Sequence, residues 1–422
     1  MSDSILPLPT ESGSADAGLA GLTTNTPPAP VPMIDLTEQF ETIRSEVEDA
    51  VLQTLASQRF VLGDAVAEFE HDVAAACDAT HAVGCGSGTD ALILALMALD
   101  IGPGDEVITT PFSFFATASS IVRVGATPVF VDIDPVTFNL CPDEVAEAIG
   151  PRTRAIMPVH LFGQCCDMDP LWRLAVEHDL HIVEDGAQAI GASYRGRKAG
   201  VLGTIGCFSF FPTKNLGGAG DGGIMTTDDA DIAARLRRLR VHGDAGGYDH
   251  REVGINSRLD ALQAAVLSVK LRHLDSWHAA RSENAVRYAQ MIGSTDLLDE
   301  LDLPLGHDDC CHVYNQFVIR TDASVRDRTL AGLRDRGVGC AVYYPKPLHL
   351  QPCFDFLEYE AGDFPEAEAA CEEVIALPIY PELGVERQHR VVGALAETFG
   401  MTFPQPVEAF LPPVGQSGRR AA

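Results

Sequence analysis

Between His81 and Phe211 the chain alternates short β-forming runs with helical ones, and few folds accept that pattern. "HAVGCG" precedes "TDALILALMAL", and "DEVITT" precedes a helix beginning near "FFATASSIV". "TPVFVDI" leads to "CPDEVAEAIG", "RAIMPVHLFG" leads to "MDPLWRLAVEHD", and the strands "LHIVED" and "GCFSFF" follow. A helix between two strands carries the chain back over the sheet, so successive strands run parallel and helices cover both faces. The expected fold is α/β, with a large domain on a mainly parallel central sheet. Two amphipathic helices precede it, one near residues 34–58 and one in "AVAEFEHDVAAAC". Beyond it, residues 259–292 read as one long helical stretch. "CHVYNQFVIR", the helix "SVRDRTLAGLRDRG", the strand "GCAVYY" and further helical segments make a smaller C-terminal α/β domain. The expected divisions are a disordered lead-in over 1–32, a large domain over 33–280, a small domain over 281–404 and a flexible tail over 405–422.

The 422 residues are 46% hydrophobic, enough for a sizeable core. A formal charge of −30 disfavours nucleic acid and anionic membranes as partners. No apolar run reaches the length of a membrane span, and the first residues lack the basic start and apolar stretch of a secretory signal. A cytoplasmic protein is expected. The eleven cysteines lack paired CxxC spacing, and Cys165-Cys166 and Cys310-Cys311-His312 are their only clusters. Adjacent residues rarely converge on one ion, so these read as reduced thiols and no metal is expected.

Ligands of open parallel sheets bind beyond the carboxyl ends of the strands, and four segments there carry chemistry. The chain has only four lysines. Lys198 falls in a turn, Lys270 reads as a solvated helix position, and Lys346 lies in the loop "YYPKPLHLQP". Lys214 differs: it follows the apolar strand "CFSFF" and opens the glycine loop "NLGGAGDGG". A lysine in a dry pocket has a lowered pKa and condenses with aldehydes, whereas a lysine capping a loop does neither. Asp185 ends the strand "HIVE", where a carboxylate can keep a heteroaromatic nitrogen protonated, and Gln188 follows three residues on. Gly88 and Thr89 open a helix after a strand, which suits a phosphate as well as an ordinary cap, and Ser209 can add a hydroxyl. Phe114, just after another strand, can stack on a flat ring or simply fill core. Arg240 and His242 in "RLRVHG" read either as anion contacts or as an exposed helix end. Gly218, Gly220 and Gly223 satisfy GxGxxG, but "GIMTTDD" after them reads as a strand where a dinucleotide site needs a helix.

In this order and spacing the motifs resemble the DegT/DnrJ/EryC1/StrS family of pyridoxal-phosphate-dependent sugar aminotransferases, with the type I aspartate aminotransferase fold. The resemblance runs from about residue 33 to 404 through "RFVLGDAVAEFE", "SGTDAL", "PFSFFATA", "PVFVDIDP", "PVHLFGQCCDMDP", "VEDGAQAIGASYRG", "SFFPTKNLGGAGDGG", "GINSRLDALQAA", "YYPKPLHLQP" and "LPIYPEL". It implies that Lys214 bonds the aldehyde of pyridoxal 5'-phosphate, that Asp185 pairs with the ring nitrogen, and that Gln188 meets the ring oxygen. It further implies that Phe114 stacks on the ring and that Gly88, Thr89 and Ser209 hold the phosphate. Asn256, in "GINSRLD", would reach the phosphate of a neighbouring subunit, making a homodimer with sites at the subunit interface. Tyr344 and His349 match positions near the sugar nucleotide, or else pack their loop. Gly186 replaces a common alanine and Thr213 a frequent serine, neither at a position with a proposed catalytic role.

The implied reaction transfers an amino group from glutamate to a keto nucleotide sugar, in amino-sugar and polysaccharide biosynthesis. "VGINSRLDALQAAVLSVKL" and "HGDAGGYDH" are similar to the branch acting on 3-keto sugars linked to UDP or dTDP; the alternative is a 4-keto sugar. A sugar dehydratase of the family commonly replaces the aldehyde-binding lysine with histidine, so Lys214 speaks for transamination. A noncatalytic regulatory protein on this fold is the rival from another class.

Overall fold

The computed structural model describes residues 29–403. Most of the expected lead-in and the whole of the expected tail lie outside them.

Seven strands form the central sheet: β1 (His81–Cys85), β2 (Glu106–Thr109), β3 (Thr127–Phe130), β4 (Thr153–Ile156), β5 (His181–Asp185), β6 (Ile205–Ser209) and β7 (Gly223–Thr227). Their order is β1-β7-β6-β5-β4-β2-β3. β7 runs antiparallel to both neighbours, while the pairs β2–β3, β2–β4, β4–β5 and β5–β6 are parallel. The strand at β7 occupies the place where a dinucleotide fingerprint would need a helix. Interior strands buried on both faces read as continuous apolar runs, as β6 does from Ile205 to Phe208. The helix Gly88–Ala98 shows the same logic. Its sequence is apolar nearly all round, and Ala91, Leu92, Leu94, Ala95, Leu96 and Ala98 are all buried.

The expected long helix is two. Ala261–Leu271 ends and Leu274–Gly293 begins around Arg272 and His273, with no glycine or proline at the break. Both side chains turn to Glu46 of the first helix, Arg272 at 2.8 Å and His273 at 3.1 Å. The second helix serves two cores. Leu274 and Trp277 pack with the central sheet, whereas Ala285, Tyr288, Met291 and Ile292 pack in a second cluster. That cluster lies on a three-stranded antiparallel sheet of Leu301–Asp302, Phe317–Thr321 and Val374–Leu377.

Two expectations need correction here. "GCAVYY" is not a strand but a segment with a single bridge, Ala341 to Ala376. Its neighbour Val338 pairs instead with Val31, so the lead-in stops short of residue 32. Val31 is fully buried, donates its N–H to the Gly337 carbonyl and accepts the Gly339 N–H, both at 2.8 Å.

Candidate active site

The carboxyl ends of β1, β5 and β6 open onto one cavity of about 430 Å3. Its lining includes Gly88, Thr89, Phe114, Asp185, Gln188, Ser209, Lys214 and Tyr344. A larger groove of about 620 Å3 along the helices Leu36–Ser57 and Ala261–Leu271 contains none of these side chains.

Asp185 sits at the last position of β5, buried, and aims at the cavity. Thr117 donates its hydroxyl to Oδ2 at 2.7 Å, and the Ala187 N–H reaches Oδ1 at 3.2 Å. Ser113 Oγ lies 2.8 Å from Thr117 Oγ1, and since the Thr117 proton points at Asp185, Ser113 is the donor to Thr117. Burial pushes the Asp185 carboxyl up, opposed by Thr117, by the Ala187 amide and by the charge of Lys214. Lys214 is half-buried with its open side on the cavity. Burial pushes its amine down to about 8, with Asp185 pulling the other way. It is the only cation among the residues lining the cavity.

The phosphate cradle can be tested on geometry. A Cβ on Gly88 would stand 2.6 Å from Ser209 Cβ, so glycine alone brings the helix start against β6. The first amides of a helix lack intrahelical acceptors and carry its positive end, and here they face the cavity beside Thr89 and Ser209. A dianion fits that corner. Ring-sized space, an acid at one end, an amine on the wall and a phosphate cradle together match pyridoxal phosphate.

The remaining expected residues divide. Phe114 stands 59% exposed on the cavity wall, free to meet a flat ring. Gln188 accepts the Phe162 N–H on Oε1 at 2.6 Å and donates from Nε2 to the Tyr344 hydroxyl at 3.0 Å. Its second N–H remains for a ring oxygen. Asn256 is exposed and is not among the residues lining its own chain's cavity. Ser257 beside it accepts the Gly86 N–H at 2.9 Å and donates to Asp90 Oδ2 at 2.8 Å, fastening that loop to the cradle.

His349 is not on the cavity. Its short turn points the ring inward, 4.7 Å from the Phe364 ring, with Nε2 3.1 Å from Glu368 Oε1. Its ring packs against its own loop. Arg240 is neither an anion contact nor an exposed helix end; it is buried, paired with Glu70 and 2.7 Å from the Gly84 carbonyl. Lys270 is no solvated residue either, since Nζ donates to the Gly217 carbonyl at 2.7 Å. Sequence reasoning passed over Thr117, Ser113, Asp221, Gln316 and Tyr343. Thr117 left a trace, a hydroxyl at the second position of the helix that follows Phe114.

Among the described residues, no three His, Cys, Asp or Glu side chains gather as a metal site, and no helix is long and apolar enough to cross a membrane. All eleven cysteines are unpaired.

The model of the DegT/DnrJ/EryC1/StrS aminotransferase family matches residues 41–396. The chain is 49% identical to a pleiotropic regulatory protein of Geobacillus stearothermophilus, over 87% of this chain and 98% of that one. It is 43% identical to a UDP-N-acetyl-3-dehydro-alpha-D-glucosamine 3-aminotransferase of Acidithiobacillus ferrooxidans, again over 87% and 98%. Among solved structures, S. venezuelae DesV in complex with a ketimine intermediate superposes with a TM-score of 0.85 at 44% identity, over 87% of this chain and 98% of that one. The chain thus belongs to the DegT/DnrJ/EryC1/StrS aminotransferase family and is a pyridoxal-phosphate enzyme.

Proposed function

We propose that the protein, as a cytoplasmic homodimer, transfers an amino group from glutamate to C3 of a keto sugar carried on a nucleoside diphosphate. The observation that carries this reading is the meeting of the Lys214 amine and the Asp185 carboxylate across a cavity that also holds a phosphate cradle. The name of the Acidithiobacillus relative supports the position on the sugar. The Geobacillus relative bears a regulatory name, but a purely sensory protein has no use for an amine tuned in this way.

Pyridoxal phosphate, when bound, supplies an aldehyde that condenses with amines and a ring that takes up the electron pair left when a neighbouring C–H bond breaks. Gly88, Thr89 and Ser209 would hold its phosphate, and Asp185 would hold a proton on its ring nitrogen. Phe114 would cover one face of the ring and keep water from it. Lys214 Nζ, with its pKa brought down to about 8, is partly neutral near physiological pH and can take a proton from the donor's α-carbon and return it elsewhere. Thr117 holds the Asp185 carboxylate in place throughout. In the homodimer, the exposed Asn256 would reach the partner's phosphate, while Ser257 ties the same loop to its own cradle.

The test combines the cofactor-loaded protein with glutamate and a panel of 3-keto and 4-keto nucleotide sugars. Release of 2-oxoglutarate with the 3-keto members alone is expected. Release with only 4-keto members would overturn the assigned position, and no release with any member would favour the regulatory reading.

A further inference from the structure

The loop after Lys214 is held by a helix that never reaches the cavity. Gln263 and Lys270 lie seven residues apart on the helix Ala261–Leu271, hence on one face two turns apart. Gln263 Oε1 accepts the Ala219 N–H at 2.8 Å, and Lys270 Nζ donates to the Gly217 carbonyl at 2.7 Å. The glycines fit this brace closely. A Cβ on Gly218 would stand 2.8 Å from Gln263 Oε1, and one on Gly220 2.9 Å from Nε2. One on Gly217 would collide with the Pro212 carbonyl. On the opposite side, Asn215 Nδ2 donates to the Val313 carbonyl at 2.9 Å, and the Gly218 N–H closes the loop onto the Phe210 carbonyl at 2.8 Å. Neither Gln263 nor Lys270 is among the residues that line the cavity.

We propose that Gln263 and Lys270 are positioning residues: by clamping the backbone of residues 217–219 they fix where the Lys214 amine stands. The proposal rests on the reading of Lys214 as the cofactor-bonding amine. The glycine run of the sequence is then the surface against which these two side chains are fitted, and its lack of side chains serves the clamp and not a nucleotide. A lysine bound to a neutral carbonyl provides a charge-assisted hydrogen bond, the stronger kind. Burial lowers the Lys270 pKa, and the carboxylate of Glu382 opposes that shift and so favours the charged donor.

The experiment uses the full chain and three variants: Lys270→Met, which keeps the stem and loses the donor, Lys270→Arg, which keeps a donor, and Gln263→Leu. In the cofactor-free protein, backbone amides of residues 214–221 should exchange hydrogen roughly tenfold faster in Lys270→Met and Gln263→Leu than in the native chain, the scale of one lost hydrogen bond, while central-sheet amides stay protected. The rate of the visible absorption change on adding pyridoxal phosphate should fall by about tenfold in the same two variants. Lys270→Arg should restore both measurements. Exchange and uptake within about twofold of native in both Lys270→Met and Gln263→Leu would overturn the proposal, as would equal loss of protection across the central sheet. Gln263→Leu decides the question alone if Lys270→Met does not fold. A native chain that takes up no pyridoxal phosphate would refute the cofactor reading, and the exchange measurement would then judge the clamp by itself.

Discussion

Glu184 and Asp185 are neighbouring carboxylates on one strand, both buried, and they point to opposite faces of the sheet. Glu184 is closed on every side. It accepts the N–H groups of Gly200 at 2.7 Å, Leu202 at 2.8 Å and Gly203 at 2.7 Å, and lies 3.0 Å from His160 Nε2. The Cys166 N–H already donates to His160 Nδ1, which leaves Nε2 as the nitrogen that donates to Glu184. Asp185 has Thr117 and one amide, and the rest of its surroundings are an open cavity. The same chemical group thus serves as scaffold where its acceptors are all filled and as a reactive site where they are not.

The sharpest break of this comparison is Asp185→Asn. Activity of the cofactor-loaded enzyme should fall at least about a hundredfold, the scale of removing one preorganised group from a reacting centre. The cofactor-free protein should nonetheless melt higher. The folded-state pKa of Asp185 is raised, so the unfolded chain releases that proton at lower pH, and the ionised residue costs stability as pH rises through the window above 3.8. A lower melting temperature at pH 7 would place Asp185 with the scaffold.

Glu184→Ala should move the other way. Three amides and one imidazole lose their acceptor, for a loss of about 3 kcal/mol in denaturant unfolding. Per folded molecule, activity should change far less than in Asp185→Asn, and an equal loss would erase the distinction.

The smallest effect concerns Lys214, which reports on the open side. In the cofactor-free chain, borohydride trapping of a small aldehyde on this residue should rise roughly fivefold from pH 7 to pH 8, as the neutral fraction of an amine with a pKa of about 8 grows. A rise of about tenfold over the same interval, with no levelling off until above about pH 10, would show an amine in ordinary water.

What was legible in the sequence follows the same division. The cavity-facing groups sit at strand ends, a place that hydrophobic alternation marks within a few residues, and so Lys214, Asp185, Gly88 and Thr89 could be found together. Arg240 could not, because its partner Glu70 lies 170 residues away. Lys270 was misread because a single lysine in a helix carries no sign of the carbonyl it will meet. His349 has two readings in the sequence because nothing local to its loop says which way the ring faces; the structure turns it toward Phe364 and Glu368. The break at Arg272 and His273 carries no glycine or proline to announce it, and Glu46, the partner both side chains share, lies on another helix.

The pairing of Val31 with Val338 has a consequence for biosynthesis. Val31 waits for a partner synthesised about 300 residues later, an interval on the order of tens of seconds. The central-sheet residues can fold in the meantime, while the bridge that buries Val31 forms only once Val338 has been made. A chain that stops before Val338 therefore lacks the backbone pairing that holds Val31.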